Sequence, residues 1–177
     1  MQRKLRKKQA GVSLIELMGT VSIVAVVNAV AIPTFSDTIQ RNEIRSHAER
    51  VVSTLTLARS EAVKRNQPVS ICRSSDGETC DGAWNDGWIV FSNLDGDNSL
   101  DSGVDEVIRV YEGLGDNLRF DGTVGDDAMT YFADGSYADG AATVKVCPVE
   151  EDGIEHWVVG VNAVGRPRLN RTMSSCG

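Results

Sequence analysis

The first apolar run of the chain spans residues 12–32. Its only polar side chains are Ser13, Glu16, Thr20, Ser22 and Asn28. A helix over these residues is about 31 Å long, which matches the apolar thickness of a bilayer. We therefore expect a membrane-spanning helix with a carboxylate in its first turn.

A helical pattern continues beyond Pro33, in AERVVSTLTLARSEAVKR. Its apolar positions recur three or four residues apart and predict one buried face: Val51, Leu55, Ala58 and Ala62. Arg59 and most other charged residues lie on the remaining faces. Pro68 cannot continue the helical hydrogen bonds, so we expect the helix to end at about Arg65.

The rest of the chain consists of short β-type segments separated by Gly, Asp and Asn clusters. We expect antiparallel strands at 69–73, 87–92, 106–111, 117–120, 129–132, 143–149 and 156–162. A helix that packs its apolar face on such sheets gives an α+β fold.

Charge is distributed unevenly along the chain. Residues 1–11 hold five basic and no acidic side chains, and the remainder has 13 basic and 25 acidic ones. Basic residues before an apolar helix predict a cytoplasmic N-terminus and an exported head. The alternative, a secretory signal peptide, needs a cleavage site after the apolar run, whereas here the small residue Gly11 precedes it. The acidic body predicts that nucleic acid or anionic lipid binds only at a local basic patch.

All four cysteines follow the apolar run, which fits disulfides in an oxidising compartment: Cys72, Cys80, Cys147 and Cys176. Three connectivities are possible. A bridge between Cys72 and Cys80, on either side of the polar SSDGET loop, is the easiest closure. It would leave Cys147 to pair with Cys176 and fix the C-terminal tail. Zinc is the alternative, but the chain has no CxxC motif and its two histidines are distant in sequence.

The segment GVSLIELM, preceded by basic residues, resembles the class III signal of type IV pilins and type II secretion pseudopilins. The matching features are Gly11 at the cut, Glu16 at the fifth mature position and Pro33 at the twenty-second. Val12 stands where phenylalanine is usual. The resemblance implies that a prepilin peptidase removes residues 1–11 and methylates Val12.

The rest of the chain resembles the GspH/FimT (FimU) family of minor pilins and pseudopilins. The likeness lies in LARSEAVKRNQPVSIC, the GWIVF segment, the Asp-rich loop, the late Cys147 segment and GRPR. It implies a type IV pilin-like fold with a filament-core helix at 12–33, an amphipathic continuation at 34–66 and a periplasmic head at 67–177. It also implies a single-pass inner-membrane subunit, partnered by other pilins or pseudopilins, that primes or caps a type IV pilus or a secretion pseudopilus.

Glu16 is costly inside a bilayer unless it has a partner. Cleavage would create an ammonium group at Val12, one helical turn away, and a neighbouring subunit's ammonium could pair with Glu16 and set its register in a filament. The alternative is a carboxylate that reaches water at the membrane interface. We expect Pro33 to kink or loosen the helix near the membrane exit.

The Asp-rich loop permits a calcium hypothesis. Oxygen-bearing residues occupy positions 1, 3, 5, 7 and 12 of an EF-hand-type pattern: Asp95, Asp97, Ser99, Asp101 and Glu106. The sixth position is Leu100 instead of glycine, and strands are expected on both sides. A solvated turn without metal explains the same residues.

Three arginines near the C-terminus form the local basic patch: Arg166, Arg168 and Arg171. Guanidinium groups suit phosphate oxygens. In the FimT branch a Gly-Arg-x-Arg tail is associated with DNA capture, and the resemblance extends this role to Arg166 and Arg168. The alternative is that these arginines pair with the acidic body.

No motif of a nucleophilic, phosphate-binding or metal-dependent enzyme is present in the sequence. Two hypotheses remain: a structural pilin or pseudopilin, and a DNA receptor on a pilus. We expect no cofactor unless the Asp-rich loop holds calcium.

Overall fold

The computed structural model describes residues 11–97, 99–123, 128–149, 156–172 and 176, without the side chains of residues 29–37 and 123. The chain divides into two compact units, Met1–Ile39 and Gln40–Gly177. One helix, α1 (Leu14–Arg65), contributes to both. Within the described residues, no helical segment is long and apolar enough to cross a membrane.

Both ends of α1 follow from local chemistry. At its start, the carbonyl oxygen of Ser13 accepts the amides of Glu16 and Leu17. At its end, Asn66 adopts a positive φ of 54° and the amide of Gln67 bonds to the carbonyl of Ala62, a common way to close a helix. The helix therefore stops where the sequence predicted. Pro33 lies in α1, but its side chain is outside the described residues, so the expected kink stays a prediction.

Eight strands are present in the described residues: β1 (Val69–Arg73), β2 (Gly87–Ser92), β3 (Val107–Glu112), β4 (Leu118–Thr123), β5 (Ala128–Tyr131), β6 (Ala142–Pro148), β7 (His156–Val161) and β8 (Pro167–Thr172). They form two antiparallel sheets, with the strand orders β3-β2-β1-β5 and β4-β6-β7-β8. The α+β class is confirmed.

The main core of the second unit forms between α1 and both sheets. The predicted apolar face of the helix is buried there: Val51, Leu55, Ala58 and Ala62. Trp88 joins the layers, because its indole nitrogen donates to Thr54 Oγ1 at 3.1 Å and its ring stacks on Tyr111. Its neighbours leave an apolar cavity of about 20 Å³ beside Leu55.

Strand β8 was not predicted. It starts with a proline and carries exposed polar residues, so it lacks the apolar alternation that marks the other strands. Only Leu169 packs against the core from it. Such a sequence is acceptable because β8 is the last strand of its sheet, and proline and charged residues are common at sheet edges.

Two disulfides hold the head. Cys72 is bonded to Cys80 with a Cα–Cα distance of 5.5 Å, and Cys147 to Cys176 with 6.1 Å. Because Cys147 lies in β6, the second bridge ties the last part of the chain to the middle of its sheet. The pairing favoured by the short SSDGET loop is the one present.

Candidate functional site

The predicted cleavage site lies just before α1. Gly11, Val12 and Ser13 are non-helical and exposed, and Val12 exposes 71% of its surface. The basic leader residues before Gly11 are outside the described residues. In the described part, nothing lies within 4 Å of a side chain built at Gly11. Among the described residues, therefore, nothing covers Gly11.

Polar side chains in the first turns of α1 fall into two groups. Thr20, Ser22 and Asn28 donate to carbonyl oxygens of the helix itself, at 2.9, 2.8 and 2.7 Å. Glu16 makes no side-chain hydrogen bond or ion pair with any described residue. A hydroxyl or amide can satisfy itself on its own helix in this way, but a carboxylate has no proton to donate. Glu16 is exposed and, among the described residues, has no protein partner.

Arg168 is the second residue of β8, and Arg166 directly precedes the strand. Both arginines are exposed, whereas Pro167 and Leu169 are half-buried. Arg168 lies opposite Gly160 in the sheet, where no side chain obstructs it. Alternation puts Arg171 on the other face, and it already has an interaction partner.

Arg166 and Arg168, called the arginine pair below, are unusual among the cations of the chain. Thirteen basic residues follow the leader. Eleven of them make a hydrogen bond, an ion pair, a ring contact or another electrostatic interaction. Among the described residues, the arginine pair makes none through its guanidinium groups. The acidic body does not neutralise these two charges within the described structure.

The Asp-rich loop brings together three of the five predicted calcium ligands. Oxygen atoms of Asp95, Asp97 and Asp101 lie within 4.8 Å of one another, and the charge of Asp97 raises the pKa of Asp101. Glu106 is instead bonded to Arg65 at 2.6 Å. The amide of Ser99 donates to Asp97 Oδ1 at 2.8 Å.

Leu100 explains why this loop departs from the calcium-loop pattern. Its side chain packs on a small buried cluster formed by Cys72, Ile89, Phe91 and Ala128. Glycine at this position would leave that cluster uncovered. The residue therefore serves packing of the loop on the sheet.

One residue that the sequence placed on a polar helix face has a larger role. Arg59 donates from Nε to the carbonyl of Gly135 at 2.9 Å and from Nη2 to the carbonyl of Val164 at 3.1 Å. These contacts span 76 and 105 residues. No local pattern could have predicted them, although Arg59 lies within the LARSEAVKR run that carries the family resemblance.

Comparisons with known proteins agree with this architecture. The family model of the type II transport protein GspH matches residues 47–165, and that of the prokaryotic N-terminal methylation motif matches residues 6–32. No curated protein matches the chain in sequence.

Two solved structures share the fold. The type IV minor pilin FimU of Pseudomonas aeruginosa is 25% identical with a TM-score of 0.58, and the match covers 78% of this chain and 95% of FimU. The minor pseudopilin EpsH from the type 2 secretion system of Vibrio cholerae is 18% identical with a TM-score of 0.52, covering 72% and 96%. The GspH model alone spans more than half of the chain, so the chain belongs to the GspH family of structural minor pilins and pseudopilins, which are not enzymes.

Proposed function

We propose that the chain is made as a membrane-inserted precursor and becomes a subunit that primes or caps a type IV pilus or a secretion pseudopilus. A prepilin peptidase removes residues 1–11 and methylates Val12. The helix then leaves the inner membrane and packs among those of neighbouring subunits, while the head remains outside the cytoplasm. Other pilins or pseudopilins are its partners.

The observation that carries this proposal is the unsatisfied carboxylate of Glu16. The other polar side chains described in this part of α1 bond to their own helix, so they need no neighbour. Glu16 gains a counter-charge only when a freed ammonium, its own or that of an adjacent subunit, comes near. In a medium of low dielectric constant this attraction is strong enough to select one register of the helix against its neighbours.

A pair of helix variants tests the proposal. We expect Glu16→Ala to leave membrane insertion intact and to lower the amount of the chain in sheared filaments by roughly tenfold, which corresponds to the loss of about 1.4 kcal/mol of pairing free energy. Asn28→Ala is the matched control, because the Asn28 amide is bonded within its helix at 2.7 Å. Normal incorporation of the Glu16 variant would reject the register role.

A second candidate function is favoured by the arginine pair. Two exposed guanidinium groups two residues apart, with no counter-ion among the described residues, suit two phosphates of a polyanion such as DNA. Contacts to phosphates alone give sequence-independent binding that weakens steeply with salt. The chain would then act as a DNA receptor on a pilus.

The DNA hypothesis is tested with the full processed chain in detergent and a labelled duplex. We expect Arg166→Gln/Arg168→Gln to lose most binding and to reduce the slope of log K against log salt by roughly one for each lost contact. Arg45→Gln/Arg109→Gln is the matched control, since it removes the same charge from residues engaged with Glu49 and with the ring of Tyr111. Equal binding by both double variants would exclude the arginine pair as the contact.

A further inference from the structure

Arg59 joins two turns that belong to different sheets. The 132–136 turn follows β5, and the 162–165 turn connects β7 to β8. The Nε–H of Arg59 bonds to the first turn at Gly135 and an Nη2–H to the second at Val164. One planar side chain on α1 thus fixes the separation of both turns.

The two turns also touch each other directly. Gly165 has a φ of 74°, and a Cβ atom added to it would lie 2.0 Å from the carbonyl oxygen of Gly135. Gly135 has a φ of 80°, and a Cβ there would lie 3.1 Å from Val63 and 3.2 Å from Arg59 Nε. Only glycine allows this approach at residue 165, and at residue 135 a side chain would be strained by the positive φ. The approach presents the carbonyl of Gly135 to Arg59.

The second turn leads straight into the arginine pair. The amide of Gly165 bonds to the carbonyl of Asn162 at 2.7 Å, and the amide of Arg166 bonds to Asn162 Oδ1 at 3.0 Å. The backbone that carries Arg166 is therefore built on the turn that Arg59 holds from the other side.

We propose that Arg59 is a positioning residue for the arginine pair: it holds the 162–165 turn against the 132–136 turn, so that both guanidinium groups leave the sheet from a fixed backbone. This inference rests on the proposed binding of a polyanion. A fixed backbone lowers the ordering cost when two side chains must meet two phosphates together. Lysine cannot replace Arg59 fully, because an ammonium is a point charge and lacks the planar fork that reaches two carbonyls.

The salt dependence of DNA binding separates positioning from contact. With the full processed chain in detergent and a labelled duplex, we expect Arg59→Gln to weaken binding by roughly three- to tenfold with an unchanged salt slope. Arg168→Gln should lower the slope by about one. The affinity of Arg59→Lys for the duplex should lie between those of the wild type and Arg59→Gln. The control Arg45→Gln removes the same charge elsewhere on α1 and should bind as the wild type does. Unchanged binding in Arg59→Gln, or a fall in its slope equal to that of Arg168→Gln, would overturn the positioning role.

A second measurement does not depend on DNA. Hydrogen exchange at the amides of Gly165 and Arg166 should be faster in Arg59→Lys and Arg59→Gln than in Arg45→Gln, because the turn is no longer held. Equal exchange rates would overturn the inference even if DNA binding fell. If the wild-type chain binds no duplex but exchange rises as expected, the polyanion function fails and the coupling of Arg59 to the turn stands.

Discussion

Carboxylates of this chain differ in how far their own surroundings satisfy them. Asp76 accepts hydrogen bonds from the amides of Glu78 and Thr79, and from the hydroxyls of Thr79 and Ser74. Glu16 has no such donor among the described residues. Asp76 therefore has a structural role in the loop closed by the first disulfide, whereas Glu16 is free of such bonds within the described structure.

The hydrogen bonds to Asp76, led by the amide of Glu78, lower its pKa from 3.8 to about 2. A pKa that is lower in the folded state contributes stability above the unfolded value, and this contribution is lost as the pH falls from about 4 to about 2. We expect Asp76→Asn to lower the denaturant midpoint at pH 7 and to flatten its dependence on pH over that window. The control is Asp116→Asn, an exposed side chain with no hydrogen bond in the described structure. If the denaturant midpoints of the wild type and Asp76→Asn changed with pH in parallel, the lowered pKa of Asp76 would be contradicted.

Gly165 and Gly140 have almost the same φ, 74° and 75°, but different surroundings. A Cβ at Gly140 meets nothing within 4 Å, so Gly140→Ala should cost only the strain of a left-handed residue, about 1 kcal/mol. Gly165→Ala adds a collision with the Gly135 carbonyl and should cost at least about 3 kcal/mol of unfolding free energy. Denaturant titration measures both. Equal losses would mean that the two turns do not touch as described.

The elements of the head were predictable to different degrees. The helix end and the first two strands match the sequence-based bounds, because Pro68 and the apolar alternation of 69–73 and 87–92 are local signals. Strand β8 was not predicted because its own residues lack the apolar alternation of a strand. It is formed by pairing with β7 at the edge of the sheet. The register that places Arg168 opposite Gly160 depends on that pairing.

In the candidate site, too, residues marked by a local sequence signal were predictable and those placed by long-range contacts were not. Gly11, Val12 and Glu16 were predicted from a contiguous motif, and their roles stay predictions. Arg59 joins residues 76 and 105 positions away, and only the folded chain brings them together. The sequence showed that Leu100 departs from the calcium-loop pattern. Only the structure shows that its side chain covers a buried cluster.

The two disulfides close loops of different length, with sequence separations of 8 and 29. Chain entropy predicts that the longer closure contributes more, about 3.6 kcal/mol against about 2.5 kcal/mol. We expect Cys147→Ser/Cys176→Ser to lower the unfolding free energy more than Cys72→Ser/Cys80→Ser does. Denaturant titration of both double variants checks the order, and the reverse order would show that the SSDGET loop carries more of the fold than its length implies.

The whole molecule combines an acidic body with two localised exceptions. Without residues 1–11 the chain has 13 basic and 25 acidic residues, so like subunits repel each other on average. In the proposed function, attraction comes from two specific places: the Val12 ammonium with Glu16 between helices, and the arginine pair with an anionic partner. The proposed first attraction requires removal of the leader and would therefore link cleavage to assembly.

The N-terminus of the chain recovered from filaments tests this link most directly. Sheared pili or pseudopili, purified away from membranes, would be analysed by mass spectrometry of the intact chain and of its first peptide. The account predicts that the chain is present and begins at Val12 with one added methyl group. A chain that is found in filaments with its leader still attached, or that occurs fully processed but only in membranes, would contradict it.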